Sequence, residues 1–337
     1  MKFASKSTTR LATTVLAGVI AFSLAACGSS GGNSSNGGDS VGGDKASTVR
    51  VAFLGARSQP YQAGLFAGLE SVDGIEATFV DVGYDVAKEV QEMGTVTASG
   101  RYDAIVFVPN SATGLIKAAT DAIAKDLIVV NVGTTLGPDA ASMKTQVDGM
   151  AGSVFQSYKT HGENLAKLAL EYCKAENKSP CNVARIGSLP QYPSDQLLRD
   201  GTKSILDGSA TYIQVYSGGF DANVGLKATQ DLLAAHPEVD AIAGNEYALQ
   251  GAQQAVKGRD IGLIALGGSE FTLAQVESGG FFGTSAFVPF TEGVNAGKIV
   301  LEKSENPGGA PIDMGGAPDV VPPTFTKDTI GSFKAQY

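Results

Sequence analysis

Several residue types are missing or scarce in this sequence of 337 residues, and each scarcity argues against a class of function. There is no tryptophan, and there are only two histidines and three cysteines. Metal sites and acid–base sites draw heavily on histidine and cysteine, so the chain has little material for either. The 25 Lys and Arg residues face 34 Asp and Glu residues, the net charge is -9, and no basic run occurs. Because nucleic acid phosphates are bound through Lys and Arg, the sequence argues against nucleic acid as a partner.

The motifs of common enzyme classes are also missing. The first strand–helix turn, GARSQPY, lacks the G-x-G-x-x-G pattern that lets a pyrophosphate approach the backbone. No G-x-x-x-x-G-K-[ST] loop occurs, and neither Ser188 nor Ser217 completes a G-x-S-x-G elbow. We interpret His161 and His236 as surface or helix-capping residues rather than catalytic bases. The sequence therefore predicts no enzyme, no metal site and no cofactor.

One apolar run, residues 11–24, is shorter than the ~20 residues that a membrane-spanning helix needs. A basic region precedes this run and small residues follow it, which together describe an export signal. The segment Leu24-Ala25-Ala26-Cys27 resembles the bacterial lipobox, in which the cysteine is acylated. The alternative is an ordinary secretory signal with a stray cysteine. We predict a lipoprotein signal at residues 1–26 and lipidation at Cys27.

Residues 27–47 are dominated by Gly, Ser and Asn and have no apolar face, so we predict a flexible tether there. The body of the protein is then held outside the cytoplasm, anchored to a membrane by lipid alone. In such an oxidising compartment we expect Cys173 and Cys181 to form a small disulfide loop. Two free thiols are the alternative.

A strand-then-helix rhythm begins at Val49 and restarts after Cys181. The apolar runs VRVAFLG, DAIVFVP and LIVVNVG are nearly continuous, which is typical of parallel strands covered on both faces. Pro60 is placed to open the first helix and Asp85 to cap the second. The runs NVARIGS, TYIQVYS and IGLIALG repeat the pattern. Two such sets predict an α/β fold with two doubly wound parallel-sheet lobes.

Ligands of open parallel sheets bind beyond the carboxyl ends of the strands, so two facing lobes would enclose a cleft there. The loops expected at this edge are rich in amides and aromatic rings, namely Gln59, Tyr61, Gln196, Phe220, Asn245 and Phe287. Amides both donate and accept hydrogen bonds, which suits hydroxyl groups, and rings cover the apolar faces of a sugar or a flat molecule. The alternative is that the rings belong to the core and the amides cap helices.

Three segments, in this order, resemble the bacterial solute-binding proteins of the ribose-binding type, the receptors of sugar ABC importers. They are SQPYQAGLFAGLE, RYDAIVFVPNSATGL and GGFDANVGLKATQDLLAAHPEVDAIAGNEYALQGA. The similarity runs from about Val49 to Lys303. The resemblance implies two α/β lobes of the type I periplasmic binding protein fold, joined by a three-strand hinge that closes on a ligand in the cleft.

The resemblance also implies where the chain crosses between the lobes, namely near Thr145–Asp148, Phe287–Pro289 and Val320–Pro322. Residues 48–146 and 289–320 then form the N-terminal lobe, and residues 147–288 and 321–337 form the C-terminal lobe.

The resemblance implies roles for single residues as well. Asn245 takes the place of the family's ligand-binding asparagine, Phe220 that of its aromatic residue before Asp, and Tyr61 lies near its stacking aromatics, with Gln59 in place of an asparagine. The sequence departs from the family's pattern at four places. Gly133-Thr134 stands where the family has Asp-Arg, and Gln196 where it has an arginine. Gly267 stands in place of an aspartate, and Phe287 in place of a glutamine. The charged grip on sugar hydroxyls is therefore largely missing. We expect a less hydroxylated or flatter ligand, such as a deoxy sugar, a polyol derivative, or an aromatic or cyclic compound.

The sequence thus predicts a monomeric, lipid-anchored receptor that captures a small neutral ligand and presents it to an ABC permease. A sensory receptor that signals to a membrane kinase or chemoreceptor is the alternative, because it would use the same closed surface. An exported enzyme would need a nucleophile, base or metal cluster in the cleft, and the sequence offers none.

Overall fold

The structure is a computed structural model that describes residues 48–190, 192–331 and 333–337. The predicted signal, the tether and Cys27 lie outside these residues and stay predictions. Within the described ranges, no helix combines the length and the apolar character needed to cross a membrane.

The first of two sheets has six parallel strands in the order β11-β5-β4-β3-β1-β2. Its strands are β1 (Val49–Gly55), β2 (Ile75–Asp81), β3 (Ala104–Phe107), β4 (Ile128–Val132), β5 (Gly152–Val154) and β11 (Ile312–Asp313). The helices that pack on it are α1 (Pro60–Glu70), α2 (Val86–Ser99), α3 (Ile116–Ile123) and α9 (Pro289–Glu305). Together they form the first lobe.

The second sheet has the order β12-β10-β9-β8-β6-β7, in which only β12 runs antiparallel to its neighbour. Its strands are β6 (Asn182–Gly187), β7 (Thr211–Tyr216), β8 (Ala241–Asn245), β9 (Gly262–Leu266), β10 (Gly283–Ser285) and β12 (Thr324–Thr326). The helices of this second lobe are α4 (Tyr158–Ala175), α5 (Pro193–Leu206), α6 (Ala222–Ala235), α7 (Glu246–Ala255) and α8 (Glu270–Ser278).

The predicted fold class is confirmed, and strand β1 shows why the apolar runs are continuous. Its residues 51–54 are all fully buried, because Val51 and Phe53 pack into one core cluster while Ala52 and Leu54 pack into another on the opposite face. Both predicted helix starts are also found. Pro60 opens α1, and the Asp85 carboxylate caps α2 by accepting hydrogen bonds from two backbone N–H groups.

Three segments connect the two sheets, and the first lies later in the chain than predicted. Strand β5 still pairs with β4, so the chain crosses at residues 155–157. The predicted crossing at Thr145–Asp148 is therefore wrong, and so is the lobe boundary at residue 146. The other two connections run between β10 and α9, where the predicted crossing at Phe287–Pro289 ends on the first residue of α9, and between β11 and β12, the interval that contains the predicted crossing at Val320–Pro322.

The disulfide predicted between Cys173 and Cys181 is present. It joins the last turns of α4 to the residue that precedes β6. The loop between the two elements is thereby closed at both ends.

Glycines set the distance between neighbouring helices in three helix pairs. In α1·α9, α4·α5 and α6·α7, each helix contributes a glycine at which a Cβ would meet a backbone oxygen of the partner helix at 1.9–2.2 Å. The glycines are Gly68 and Gly293, Gly162 and Gly201, and Gly225 and Gly251. Because a backbone oxygen cannot move aside as a flexible side chain can, these positions admit only glycine. The three pairs therefore pack backbone against backbone.

Substituting Gly293 by alanine tests this packing. A Cβ there would lie 2.0 Å from the Leu65 carbonyl oxygen, so we expect Gly293→Ala to lower the free energy of unfolding by about 1–3 kcal/mol through overpacking. Gly94 is the matched control, since it is exposed in the middle of α2 and a Cβ there meets nothing within 4 Å. We expect Gly94→Ala to raise the stability by about 1 kcal/mol, as helix propensity requires. Urea unfolding of both variants measures the difference, and a neutral Gly293→Ala would contradict the packing argument.

Candidate functional site

The carboxyl ends of the two sheets face each other across a cleft. Tyr61, after β1, belongs to the first lobe, and its ring centroid lies 6.2 Å from that of Tyr337. The Tyr337 hydroxyl in turn accepts a hydrogen bond of 2.8 Å from the N–H of Gly268, which follows β9 in the second lobe. At the rim, the exposed Tyr84 follows β2 in the first lobe, and partial burial together with the nearby Tyr192 of the second lobe raises its pKa. Residues from both lobes therefore meet along the edge where the strands end.

Aromatic rings fill the inner end of this cleft, next to the crossing segments. Phe287 lies at the centre, with its ring centroid 5.3 Å from Tyr61, 6.2 Å from Tyr158 and 4.6 Å from His161. The two lobes and the second crossing segment each contribute to the group. The inner end of the cleft therefore presents ring surface.

Glu292, in the first turn of α9, is the buried acid behind these rings. It is fully buried, and the Tyr61 hydroxyl donates to its two carboxylate oxygens at 3.0 and 3.1 Å. Burial raises the pKa of Glu292 from 4.5 to about 8, although the hydrogen bonds from Tyr61 and from the Gly133 N–H oppose the shift. Burial and the nearby Glu292 also raise the pKa of Tyr61. Both groups are therefore neutral at pH 7.

His161 is buried in the first turns of α4, so the prediction that it is a surface or capping residue is wrong. Its side chain is fully buried, and Nδ1 lies 2.8 Å from the Ser285 hydroxyl. Burial lowers the pKa of His161 to about 3, which keeps the ring neutral. His236, in contrast, ends α6 at the surface beside Glu238. The start of α4 lies under the crossing segments, which is why His161 is covered.

Two buried amides tie the crossing segments together. Gln156, in the first crossing, donates to the Ala286 carbonyl at 3.2 Å and accepts from the Val288 N–H at 3.0 Å. Asn164 of α4 donates to the Pro322 carbonyl at 3.1 Å, which belongs to the third crossing. All three crossings are thus held by the same stretch of chain around the start of α4.

Three of the predicted ligand residues lie together at the inner end of the cleft. Tyr61 and Phe287 are in ring contact, and Thr134 follows Gly133, where a Cβ would lie 3.3 Å from the Tyr61 ring. Gln59 stands two residues before Tyr61 and caps α1, since its Oε1 accepts from the Gln62 N–H at 3.0 Å. Their contact with a ligand stays a prediction.

The other three predicted ligand residues lie on the second lobe. Asn245 caps α7 by accepting from the Ala248 N–H at 2.9 Å, and its Nδ2 donates to the Ser188 hydroxyl at 3.1 Å. Phe220 is 52% exposed and stacks against Tyr192 at a centroid distance of 6.5 Å. Gln196 is exposed and donates to the Pro190 carbonyl at 3.3 Å. The structure does not bring these three into contact with the Tyr61 group.

The second lobe also holds two buried carboxylates at its strand ends that sequence reasoning missed. Asp195, one residue before Gln196, pairs with Arg185 and accepts from the N–H groups of Ser188 and Leu189. Glu246 accepts from hydroxyl groups of Ser269, Thr272 and Tyr337. The protein itself therefore supplies hydrogen-bond donors to both carboxylates, and Arg185 balances the charge of Asp195.

Other missed residues are the aromatic ones at the cleft edge, Tyr84, Tyr158, Tyr192 and Tyr337, together with Glu292. Tyr192 had a local signal, since it directly precedes the proline that opens α5. Tyr337 and Glu292 reach the cleft only through tertiary contacts with residues far away in the chain. No local pattern could have identified them.

The buried proton of Glu292 predicts a pH dependence of stability. The folded state keeps this proton up to about pH 8, whereas the unfolded chain loses it near pH 4.5, so the free energy of unfolding falls as pH rises through this window. The slope for one such group is about 1.4 kcal/mol per pH unit. His161 has the opposite slope, but only between its folded pKa of about 3 and its unfolded value of 6.5. As pH rises from 6.5 to 8, we therefore expect the free energy of unfolding of the Glu292→Gln variant to fall less than that of the parent protein.

The measurement is urea unfolding at a series of pH values. Glu302→Gln is the control, because this carboxylate is exposed on the same helix, and it should keep the slope of the parent protein. Equal slopes for the Glu292→Gln variant and the parent would contradict a protonated Glu292.

Comparison with known proteins shows what this architecture belongs to. A family described as the periplasmic binding protein domain matches residues 58–306. The ribose import binding protein of Bacillus subtilis (strain 168) is 22% identical over 255 residues, which cover 74% of this chain and 78% of that protein. A solute-binding protein of Actinobacillus succinogenes with bound D-allose superimposes with a TM-score of 0.70 at 17% identity, covering 85% of this chain and 100% of that one. A carbohydrate-transporter solute-binding protein of Agrobacterium radiobacter in complex with D-arabinose superimposes with a TM-score of 0.68 at 19% identity. The superposition covers 86% of this chain and 97% of that one.

The family consists of binding proteins rather than enzymes, which agrees with a cleft lined by rings and satisfied carboxylates. The match covers most of the described chain. The protein belongs to the periplasmic binding protein family.

Proposed function

We propose that the protein is an extracytoplasmic receptor, anchored by lipid at Cys27, that captures a small neutral ligand between its lobes and delivers it to an ABC importer. The observation that carries the proposal is the meeting of strand ends from both lobes around the rings of Tyr61, Phe287 and Tyr337. Ligands of open parallel sheets bind at this edge. The relatives whose names state a ligand, ribose, D-allose or D-arabinose, support a sugar or a sugar-like compound.

Capture follows from the difference between an open and a closed form. Only the closed form contacts a ligand from both sides, so the ligand shifts the population towards closure. The closed form then exposes the surface that a permease recognises. A monomer suffices for this cycle, because both halves of the site lie on one chain.

The charge state of the cleft supports a neutral ligand. Glu292 carries a proton at pH 7, and Asp195 and Glu246 are already satisfied by protein groups. An anionic solute would find no cationic partner among these side chains and would lose its hydration on entry.

The ring-rich inner end supports a ligand with fewer hydroxyl groups than a common sugar. The Tyr61 hydroxyl donates its hydrogen bond to Glu292, and the Tyr337 hydroxyl donates to Glu246. Both side chains therefore offer a ligand mainly ring surface. Rings of this kind pack against apolar sugar faces or flat cyclic molecules. We therefore infer a deoxy sugar, a polyol derivative or an aromatic or cyclic compound.

Calorimetry of the purified protein against a panel tests the ligand class. The panel contains D-ribose, D-allose, D-arabinose, deoxy sugars, polyols and aromatic acids. We expect one of the less hydroxylated compounds to bind most tightly. Tight binding of an ordinary aldopentose would contradict the ligand class, and an absence of binding throughout would count against the sugar-like assignment.

Asn245 provides the test of the site itself. The substitution Asn245→Asp keeps an oxygen that caps α7 but removes the Nδ2 donor, so the protein should stay stable while affinity for the panel ligand falls about tenfold or more. Gln91→Ala, an exposed amide on α2, is the control and should bind like the parent protein. Unchanged affinity of Asn245→Asp would remove Asn245 from the site.

Import and sensing are separated by a different experiment. In liposomes with a candidate permease and its ATPase, the ligand-loaded protein should stimulate ATP hydrolysis and uptake. Stimulation of a membrane kinase without uptake would favour the sensory alternative instead.

A further inference from the structure

Residues 333–337 begin in the core of the second lobe. Phe333 packs on Phe325 of β12 with ring centroids 4.3 Å apart, and both side chains contact the core cluster around α7 and α8. Ala335 packs against the same cluster. The start of this segment is therefore fixed to the second lobe.

The next residue reaches the first lobe. The Gln336 side chain makes a reciprocal pair with Thr291, in which Oε1 accepts from the Thr291 N–H and Nε2 donates to the Thr291 hydroxyl, both at 3.0 Å. Thr291 lies in the first turn of α9, where backbone N–H groups have no partner within the helix, so Gln336 satisfies one of them. The Gln336 carbonyl also lies against α1, since a Cβ at Gly64 would come within 2.6 Å of its oxygen. Gln336 thus contacts both α9 and α1 of the first lobe.

Tyr337 then returns to the second lobe across the cleft. Its hydroxyl donates to Glu246 Oε1 at 2.9 Å and accepts from the Gly268 N–H at 2.8 Å. Its ring stands edge-on to Tyr61 of the first lobe, at an interplanar angle of 81°. Burial and the neighbouring Glu246 raise the pKa of Tyr337 well above its usual value. The side chain is thereby wedged between the two lobes.

We propose that residues 333–337 form a strap that joins the two lobes independently of the three crossing segments and favours the closed form before any ligand binds. The proposal rests on the proposed function only in that the lobes open and close. If the lobes part, either the Gln336–Thr291 pair or the Tyr337 contacts must break. Because these contacts exist only in the closed form, their loss on opening disfavours the open form. The strap therefore raises the closed population and with it the apparent affinity for a ligand.

Distance measurement in the ligand-free protein tests the strap directly. Spin labels are placed at Lys117→Cys on α3 and Lys227→Cys on α6, two exposed positions on different lobes, in a full-length Cys27→Ser background that keeps the native disulfide. Pulsed electron resonance then gives the populations of short and long interlobe distances. Because no ligand is added, the readout does not depend on which solute the protein binds, or on whether it binds one.

The variants separate the strap from a general loss of structure. In the double variant Gln336→Ala/Tyr337→Ala we expect the ratio of open to closed protein to rise about tenfold or more. Lys334→Ala changes an exposed residue of the same segment and should leave the distances unchanged. Circular dichroism and thermal melting check that each variant is folded. If the double variant unfolds, Gln336→Ala alone replaces it, and we expect a smaller increase in the ratio of open to closed protein. An unchanged distance distribution in the folded variant, or equal opening in Lys334→Ala, would overturn the strap.

Discussion

The two hydrogen bonds of Gln156 fix the part of the molecule on which the cleft depends. Its amide group accepts from the Val288 N–H and donates to the Ala286 carbonyl, so it holds the backbone on both sides of Phe287. The Phe287 side chain is thereby directed at Tyr61 and His161. Gln156 is buried, and a buried amide that lost these partners would be costly to desolvate. The inner end of the cleft thus has a defined shape because the first crossing segment clamps the second.

The groups around Phe287 share one electrostatic property, which is that burial holds them neutral. Burial raises the pKa of the acid Glu292 and lowers that of the base His161. Both side chains are therefore neutral at pH 7. The hydroxyl of Tyr61 contacts the first, and the ring of Phe287 contacts the second. The inner end of the cleft thus presents a defined shape and ring surface. Burial also raises the pKa of Glu89, at the start of α2 in the same lobe as Glu292, to about 7.

The sequence predicted those features of the fold that local chemistry determines. Pro60 and Asp85 start helices because one has a suitable fixed φ and the other an oxygen for the free N–H groups. Strand β5 was missed, since its three residues, Gly-Ser-Val, have neither the length nor the composition of the other strands. The first crossing was consequently placed too early.

The site was harder to predict than the fold, because burial between lobes leaves no periodic pattern. His161 lies on a helix whose sequence looks ordinary, yet the face that carries it packs against Ser285 and Phe287. The loops after the strands could be predicted to share one edge of each sheet, because parallel strands end at one edge wherever they occur. Which side chains meet across that edge, such as Tyr61 and Tyr337, depends on how two separate sheets approach each other.

Close packing of the helices within each lobe limits where motion can occur. Three helix pairs pack with glycine against backbone oxygen, so neither lobe can deform through sliding of these helices without a clash. Any change of the cleft must then be absorbed by the crossing segments, and Gln156 and Asn164 join these segments to one another and to the start of α4. In the proposed closure, these hydrogen bonds would make the three crossings bend together. Since Glu292 and Thr291 lie on the first turn of α9, directly after the second crossing, a rotation at the hinge moves the buried acid and the anchor of Gln336 by the same small angle. In the proposed closure of the cleft, the Tyr61 ring and the contacts of residues 333–337 would thus change together.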